Sequence, residues 1–254
     1  MDAPQKIAVA GATGRVGRHI VDVLTERGHE VVPISRGQGV DVITGDGLAA
    51  ALEGADVIVD AATGSSPEEQ TATAFFTTAT RNLYTAGAAA GAQRMIVLSI
   101  IGADRFRGGY GAATMAHEGA AQAGPLPVHV LRAAQFHEFV PQLVEWGTQG
   151  EISYVTDMRA QPVAARAVAE AVADLVAAPA GGDTPVTEVA GPQEESLADL
   201  AALFVSRRGL AVKVEGVRDP DDPDLDVNLG GGLLPGPGAI LAGPTFEAWL
   251  DAGS

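Results

Sequence analysis

The chain contains no cysteine. Disulfides, thiolate metal centres and cysteine nucleophiles are therefore outside its chemistry. It has only two lysines, Lys6 and Lys213, and 16 basic residues stand against 32 acidic ones, a formal net charge of −16. Nucleic-acid surfaces need clustered Lys and Arg, so nucleic acid and anionic membrane are poor partners. No apolar run approaches the roughly 20 residues that cross a bilayer. The start, Met1-Asp2-Ala3-Pro4, lacks the basic segment of a signal peptide. A cytoplasmic protein acting on a small molecule is the expectation, with the oligomeric state open and a homo-oligomer allowed. The absence of G-x-S-x-G argues against a nucleophile-elbow hydrolase. Asp222, Asp224 and Asp226 have the first spacings of a calcium loop, but Val227 and Leu233 stand where Gly and Glu are required. Residues 219–226 read as a solvated acidic loop, and no metal site is expected.

What is present is organised around Gly11-Ala12-Thr13-Gly14-Arg15-Val16-Gly17. The motif follows the apolar run 7–10 and precedes Val16, Ile20, Val23 and Leu24, which have helical spacing. Strand, glycine turn and helix form the context in which such a motif signals a dinucleotide site. One glycine permits the tight turn, another admits a pyrophosphate against the backbone, and the third lets helix and strand pack closely. The free N–H groups and the positive end of the helix dipole then face the phosphates.

The first half alternates strand and helix patterns. Strands are expected at Lys6–Ala10, Glu30–Ile34, 41–44, 56–61, 94–99 and 128–131, and helices at 14–27, Leu48–Leu52, 67–90 and 112–122. Such alternation predicts an α/β fold, a doubly wound parallel sheet with helices on both faces. In the second half, helices are expected at 136–147, 163–178, Leu197–Arg208 and Phe246–Asp251. Strands are expected at 151–155, Val186–Ala190 and 211–214, and residues 230–244, rich in Gly and Pro, read as a loop. Ser196 followed by Asp199 is a capping-box pattern. At 254 residues the chain can be one domain. Its dinucleotide-binding core would cover about 4–132, with the cleft-forming segments mainly in 133–254.

Several residues suit particular parts of a cofactor. Ser35-Arg36 ends the second strand. An acidic residue near that point would hold the ribose 2′-hydroxyl of NAD, whereas Arg suits the 2′-phosphate of NADP. NADP(H) is thus preferred over NAD(H). Gly45-Asp46 offers a carboxylate to an adenine amino group, or an N-cap to the helix at Leu48. Ala62, Thr63 and Gly64 follow the fourth strand candidate, at the sheet edge where ligands of open α/β sheets bind.

Taken together, Gly11–Gly17, Ser35-Arg36, Gly45-Asp46, 56–64, 96–102, 131–136 and Thr245-Phe246-Glu247-Ala248-Trp249-Leu250 resemble the NmrA-like group of atypical short-chain dehydrogenase/reductases. The resemblance runs over nearly the whole chain. It implies a Rossmann sheet of seven strands, NAD(P)H binding, and a small C-terminal part forming the substrate cleft. Relatives of this kind include quinone and imine reductases, and redox-sensing regulators without turnover. Many short-chain reductases use a Ser, a Tyr and a Lys four residues after the Tyr. Here Ser99 and Tyr110 are present, but Thr114 occupies the lysine position.

A phenol with a pKa near about 10 is a poor proton donor-acceptor at neutral pH without a nearby cation. Hydride transfer to a quinone-like or carbonyl substrate without the usual Tyr–Lys pair is the leading expectation. The alternatives are a non-catalytic NADP(H) sensor and a redox-neutral enzyme. Imidazole titrates near neutral pH, so His117 and His137 are the other possible proton donors. His117 reads as a helix-surface residue. Gln135, Phe136 and His137 follow the strand that, in the resemblance, faces the nicotinamide, which makes them substrate-binding candidates and His137 the better donor. The plainer reading of Ser99 is a strand-end hydroxyl bonded to backbone. Phe75, Phe76 and Trp146 read as core, and His19, His29 and His129 as histidines with no partners that suggest a site.

Overall fold

The computed structural model describes residues 3–179 and 185–253. Strand β1 (Lys6–Ala10) leads through the glycine turn into helix α1 (Gly17–Glu26) and then β2 (Glu30–Ile34). The short α2 (Leu48–Leu52) and β3 (Val57–Asp60) follow. Next come α3 (Glu69–Ala90), β4 (Arg94–Ile100), α4 (Gly109–Gln122) and β5 (Val128–Ala133). Alternation along β1 shows why helices cover both faces. Ile7 and Val9 join one apolar cluster, while Ala8 and Ala10 join another. Both must be shielded, and each fully buried aliphatic side chain contributes roughly 1.5–3 kcal/mol. The first cluster is closed by Ile20, Val23 and Leu24 of α1, the second by Leu48, Leu52, Leu83 and Ala121 of α2, α3 and α4. Helix α3 lies close to the sheet at Gly87, where an added Cβ would stand 2.2 Å from Ile58 Cδ1.

The C-terminal half begins with α5 (Val140–Gly147), the short β6 (Thr148–Gln149), β7 (Ile152–Thr156) and β8 (Arg159–Ala160). It continues with α6 (Ala165–Ala177), β9 (Val186–Ala190), β10 (Glu195–Ser196), α7 (Leu197–Arg208) and β11 (Lys213–Val217), then α8 (Leu225–Leu229), β12 (Ile240–Leu241) and α9 (Phe246–Asp251). Helix α6 packs beside α1 through Val168, Val172 and Val176. A third cluster joins Val140 and Val144 of α5 to Val155, Leu197, Leu200, Phe246 and Leu250. The Ser196 hydroxyl caps α7 by accepting from the Asp199 amide at 3.3 Å.

The main sheet has seven parallel strands in the order β12-β9-β5-β4-β3-β1-β2. A three-stranded sheet, β11-β7-β6, and a two-stranded pair, β10-β8, belong to the C-terminal half. The seven strands are not all those expected. Residues 41–44 form a turn instead of a strand, because the Asp41 carboxylate accepts from the amides of Ile43 and Thr44 at 2.7 and 3.3 Å. Those amides are then withdrawn from any ladder. The far edge is supplied by β12, inside the stretch that reads as a loop. The expected helix 136–147 is broken into a 3-10 turn, His137–Phe139, and α5, whose first turn carries Pro141. The strand expected at 211–214 starts two residues later. No helix of the described residues is long and apolar enough to cross a membrane.

Candidate cofactor site and catalytic groups

The chain places β2 on one side of β1 and β3 on the other. Strand order therefore reverses at β1, and the carboxyl ends of β1 and β3 border the crevice where ligands of open α/β sheets lie. The glycine turn occupies this point. Gly11 has φ +77°, and a Cβ there would sit 2.5 Å from the Ala61 carbonyl oxygen beyond β3. A Cβ on Gly17 would be 2.0 Å from the Gly11 oxygen. The Gly14 amide donates to that same oxygen at 2.8 Å. The turn is thus pressed between the end of β3 and the start of α1. Ala12 and Val16 are buried beneath it, while Thr13, Gly14 and Arg15 are exposed. Among the described residues, the amides of Thr13, Arg15 and Val16 have no backbone acceptor. Donors at the positive end of α1 are what a pyrophosphate needs. The Arg15 guanidinium reaches across to α5, donating to Gln142 Oε1 at 2.7 Å and lying 6.0 Å from the Phe139 ring centroid.

At the end of β2, Arg36 is exposed, and no hydrogen bond or ion pair of its guanidinium is found among the described residues. The Ser35 hydroxyl beside it also lacks a partner. Gly45 takes φ +84°. The N-cap of α2 is Gly47, not Asp46, so the capping role considered for Asp46 does not hold. Its exposed carboxylate has no hydrogen-bond partner among the described residues.

Past β3, the chain runs through Ala62, Thr63 and Gly64. The Ala62 amide donates to Asp60 Oδ1 at 3.1 Å. The other oxygen of Asp60 accepts from the Thr80 hydroxyl at 3.0 Å and lies 3.0 Å from His117 Nε2. Asp60 and His117 are both almost wholly buried, and the imidazole stacks on Phe76 with centroids 4.5 Å apart and planes 8° from parallel. His117 is therefore not a surface residue. The periodicity of α4 conceals this, because its Ala-rich faces differ little in hydropathy. Phe76 is core, as expected, but Trp146 is not. It is 62% exposed, edge-on to Phe139, on the outer side of α5.

The catalytic candidates do not form one cluster. Ser99 is buried and its hydroxyl donates to Glu118, not to backbone. Glu118 also accepts from Arg132 Nε and Nη2, both at 2.9 Å, and Arg132 reaches Asp104 at 3.1 Å. The Glu118 carboxylate holds the Arg132 guanidinium above its ordinary pKa. Tyr110 lies in the first turn of α4, eight residues and so about 12 Å of helix rise from Glu118. It packs against Phe76, and burial raises its phenol above the usual value. Thr114 turns its hydroxyl back to the Tyr110 carbonyl at 2.8 Å. Neither lysine can replace the missing cation. Lys6 donates to the Glu53 carbonyl at the opposite sheet edge, and Lys213 is exposed beside Glu215.

His137 is buried in an aromatic box with Phe246 and Trp249. Its Nε2 donates to the Pro244 carbonyl at 3.1 Å, and burial lowers its pKa. The ring is thus held neutral, with Nδ1 unpartnered. No hydrogen bond joins it to Tyr110 or Ser99 among the described residues. Gln135 and Phe136 lie where β5 turns toward α5. Phe136 bridges Val163, and Gln135 Oε1 is buried without a partner. His29 and His129 pair with the Gln5 amide and the Thr187 hydroxyl, neither of which points to a site. Asp224, in the acidic loop, is buried and accepts from the Arg107 amide. No group of three metal-ligating side chains occurs among the described residues. The Ser99–Glu118–Arg132 network and the Asp60–His117 pair were missed in the sequence. The available signal was a charged residue inside each of two apolar strands.

Residues 11–179 match a family model described as NAD(P)H-binding. The fold is similar to that of MoeE5 in complex with UDP-glucuronic acid and NAD, with a TM-score of 0.73, 18% identity, and coverage of 98% of this chain and 100% of that one. It is also similar to a UDP-N-acetylglucosamine 4-epimerase from Bacillus cereus, with a TM-score of 0.70, 17% identity, and coverage of 98% and 94%. A dTDP-4-dehydrorhamnose reductase from Clostridium acetobutylicum matches with a TM-score of 0.68, 20% identity, and coverage of 84% and 83%. At these identities the likeness is one of fold. No curated protein matches the chain in sequence.

Proposed function

The chain belongs to the NAD(P)H-binding family, and from that premise we propose an NADP(H)-dependent oxidoreductase that transfers a hydride without a Tyr–Lys pair. The observation that carries the cofactor choice is Arg36. It lies two residues beyond β2, its guanidinium exposed and unpartnered among the described residues, with the unsatisfied Ser35 hydroxyl beside it. No carboxylate stands at that strand end to hold a ribose 2′-hydroxyl. Titration with NADPH and NADH, followed by Trp fluorescence and checked by calorimetry, tests the reading. Arg36→Ala is expected to weaken NADPH about tenfold or more, the scale of one charge-assisted contact, and to leave NADH within about twofold. An equal fall for both, or none, refutes the preference.

The substrate class follows from what the catalytic end lacks. Thr114 supplies no cation, and burial keeps the Tyr110 phenol protonated. The reading therefore favours an acceptor that takes hydride without a protein acid, as a quinone does, its second proton coming from water. An activated carbonyl is the other member of this class. The NmrA-like group is the finer family placement that goes with it. The same Thr114 favours a second reading, a cofactor-binding sensor without turnover. NADPH consumption with a panel of quinones separates the two: turnover supports the reductase, and tight binding with no acceptor consumed supports the sensor.

A further inference from the structure

The Asp60–His117 pair has no part in the hydride-transfer reading, yet it joins the elements on which that reading depends. Asp60 is the last residue of β3, and its two carboxylate oxygens are engaged differently. Oδ1 accepts from the Ala62 amide at 3.1 Å, one residue beyond the Ala61 amide that donates to the Ala10 carbonyl at 3.1 Å, in the segment that leaves β3 beside Gly11. Oδ2 accepts from Thr80 of α3 and faces His117 Nε2 of α4, each at 3.0 Å. Since a carboxylate offers only acceptors, Nε2 must be the donor. His117 Nδ1 is then buried with no partner. Keeping an unsatisfied polar atom in the interior costs stability, and a phenylalanine would stack on Phe76 without that cost. What the imidazole supplies that phenylalanine cannot is the hydrogen bond to Asp60.

We propose that His117 is a positioning residue for the cofactor: its bond to Asp60 Oδ2 fixes the carboxylate plane, which holds the Ala62 amide and so the 61–64 segment against the glycine turn. The inference rests on the dinucleotide reading of that turn. The ligand class is the shared part of both cofactors, so NADPH and NADH depend on His117 equally. Arg36, by contrast, acts on one of them.

Two variants separate this role from simple packing. His117→Phe keeps the stack on Phe76 and removes the donor, whereas His117→Gln keeps a donor at about the Nε2 position. Amide hydrogen exchange on the cofactor-free protein is the first readout. In His117→Phe the Ala62 amide should exchange about tenfold faster or more, the scale of one lost hydrogen bond. The amides of Ile58 and Val59 should stay as in the unaltered protein, and His117→Gln should restore protection at Ala62. Titration is the second readout. His117→Phe should weaken NADPH and NADH by the same factor, about tenfold, and His117→Gln should stay within about twofold. Unchanged Ala62 exchange and unchanged affinity in a folded His117→Phe overturn the inference alone. So does a His117→Gln variant as impaired as His117→Phe. An unaltered protein that binds neither cofactor brings down the dinucleotide reading and this inference with it.

Discussion

Replacing Gly17 with alanine separates the fold from the site. Gly17 has an ordinary backbone conformation, so the substitution acts by steric contact. Its Cβ would lie 2.0 Å from the Gly11 oxygen and 2.7 Å from the Gly11 carbon, both backbone atoms that no rotamer can move away. Ordinary contact begins at 3.4 Å, so α1 and the turn must part by 3.4 − 2.0 = 1.4 Å. Overpacking of this kind costs about 1–3 kcal/mol, and the better helix propensity of alanine offsets up to about 1 kcal/mol. The net is ~0–3 kcal/mol, a fall in Tm of up to about 10 °C for a chain of this length. The site loses more. An ångström of displacement breaks hydrogen bonds from the turn amides to a pyrophosphate, each worth about 1.5–3 kcal/mol. Two such bonds correspond to a loss of at least about 100-fold in NADPH affinity. Gly28→Ala is the control. Gly28 has φ +86° with nothing within 4 Å of an added Cβ. It costs ~1–2 kcal/mol of backbone strain and should leave affinity unchanged. Melting curves and NADPH titrations on the two variants decide the matter. Undiminished binding by Gly17→Ala would refute the assignment of the turn as the phosphate site. A parallel loss in Gly28→Ala would show that binding merely follows stability.

Glu118→Ala should destabilise the protein by about 2–4 kcal/mol in urea, because it strips three hydrogen bonds from Ser99 and Arg132 in a buried pocket. A loss below about 1 kcal/mol would mean that the network is loosely held. Burial lowers the pKa of His137 in the folded state. The unfolded chain therefore binds more protons as pH falls below about 6.5, so stability declines from there toward the lowered folded-state value and is flat above. His137→Gln should flatten that decline, and an unchanged profile would contradict the assignment. Tyr110→Phe should remove a phenol that titrates above about 10 in an ultraviolet titration, and leave quinone turnover within about tenfold. A loss of 100-fold or more would make Tyr110 the proton donor after all.

Sequence and structure agree where a local pattern has one physical solution. The glycine turn is such a case, since a strand that ends beside its neighbour and must lead into a closely packed helix leaves no room for Cβ at Gly11 or Gly17. The pattern breaks down where long-range partners decide. Residues 41–44 have strand propensity, but the Asp41 carboxylate, by bonding its own following amides, ends the sheet one strand early. The seventh strand is instead 240–241, at the opposite edge of the sheet, in a segment whose prolines and glycines disguise a strand that needs only two residues in register with β9. The same holds for side chains. Ser99, Tyr110 and His137 are each of a type that can carry catalysis, yet their roles depend on partners 19 to 107 residues away in the chain, and no spacing rule connects them. Glu118 and His117 are adjacent on α4, yet one turns to Arg132 of β5 and the other to Asp60 of β3. Helix α4 therefore ties β5 to β3, the two strands that flank β4, through two consecutive side chains, in a stretch of alanines that gives no sign of it. With Thr114 where the lysine of the usual pair would stand, the role proposed for α4 is a different one, that of positioning the end of β3 through His117.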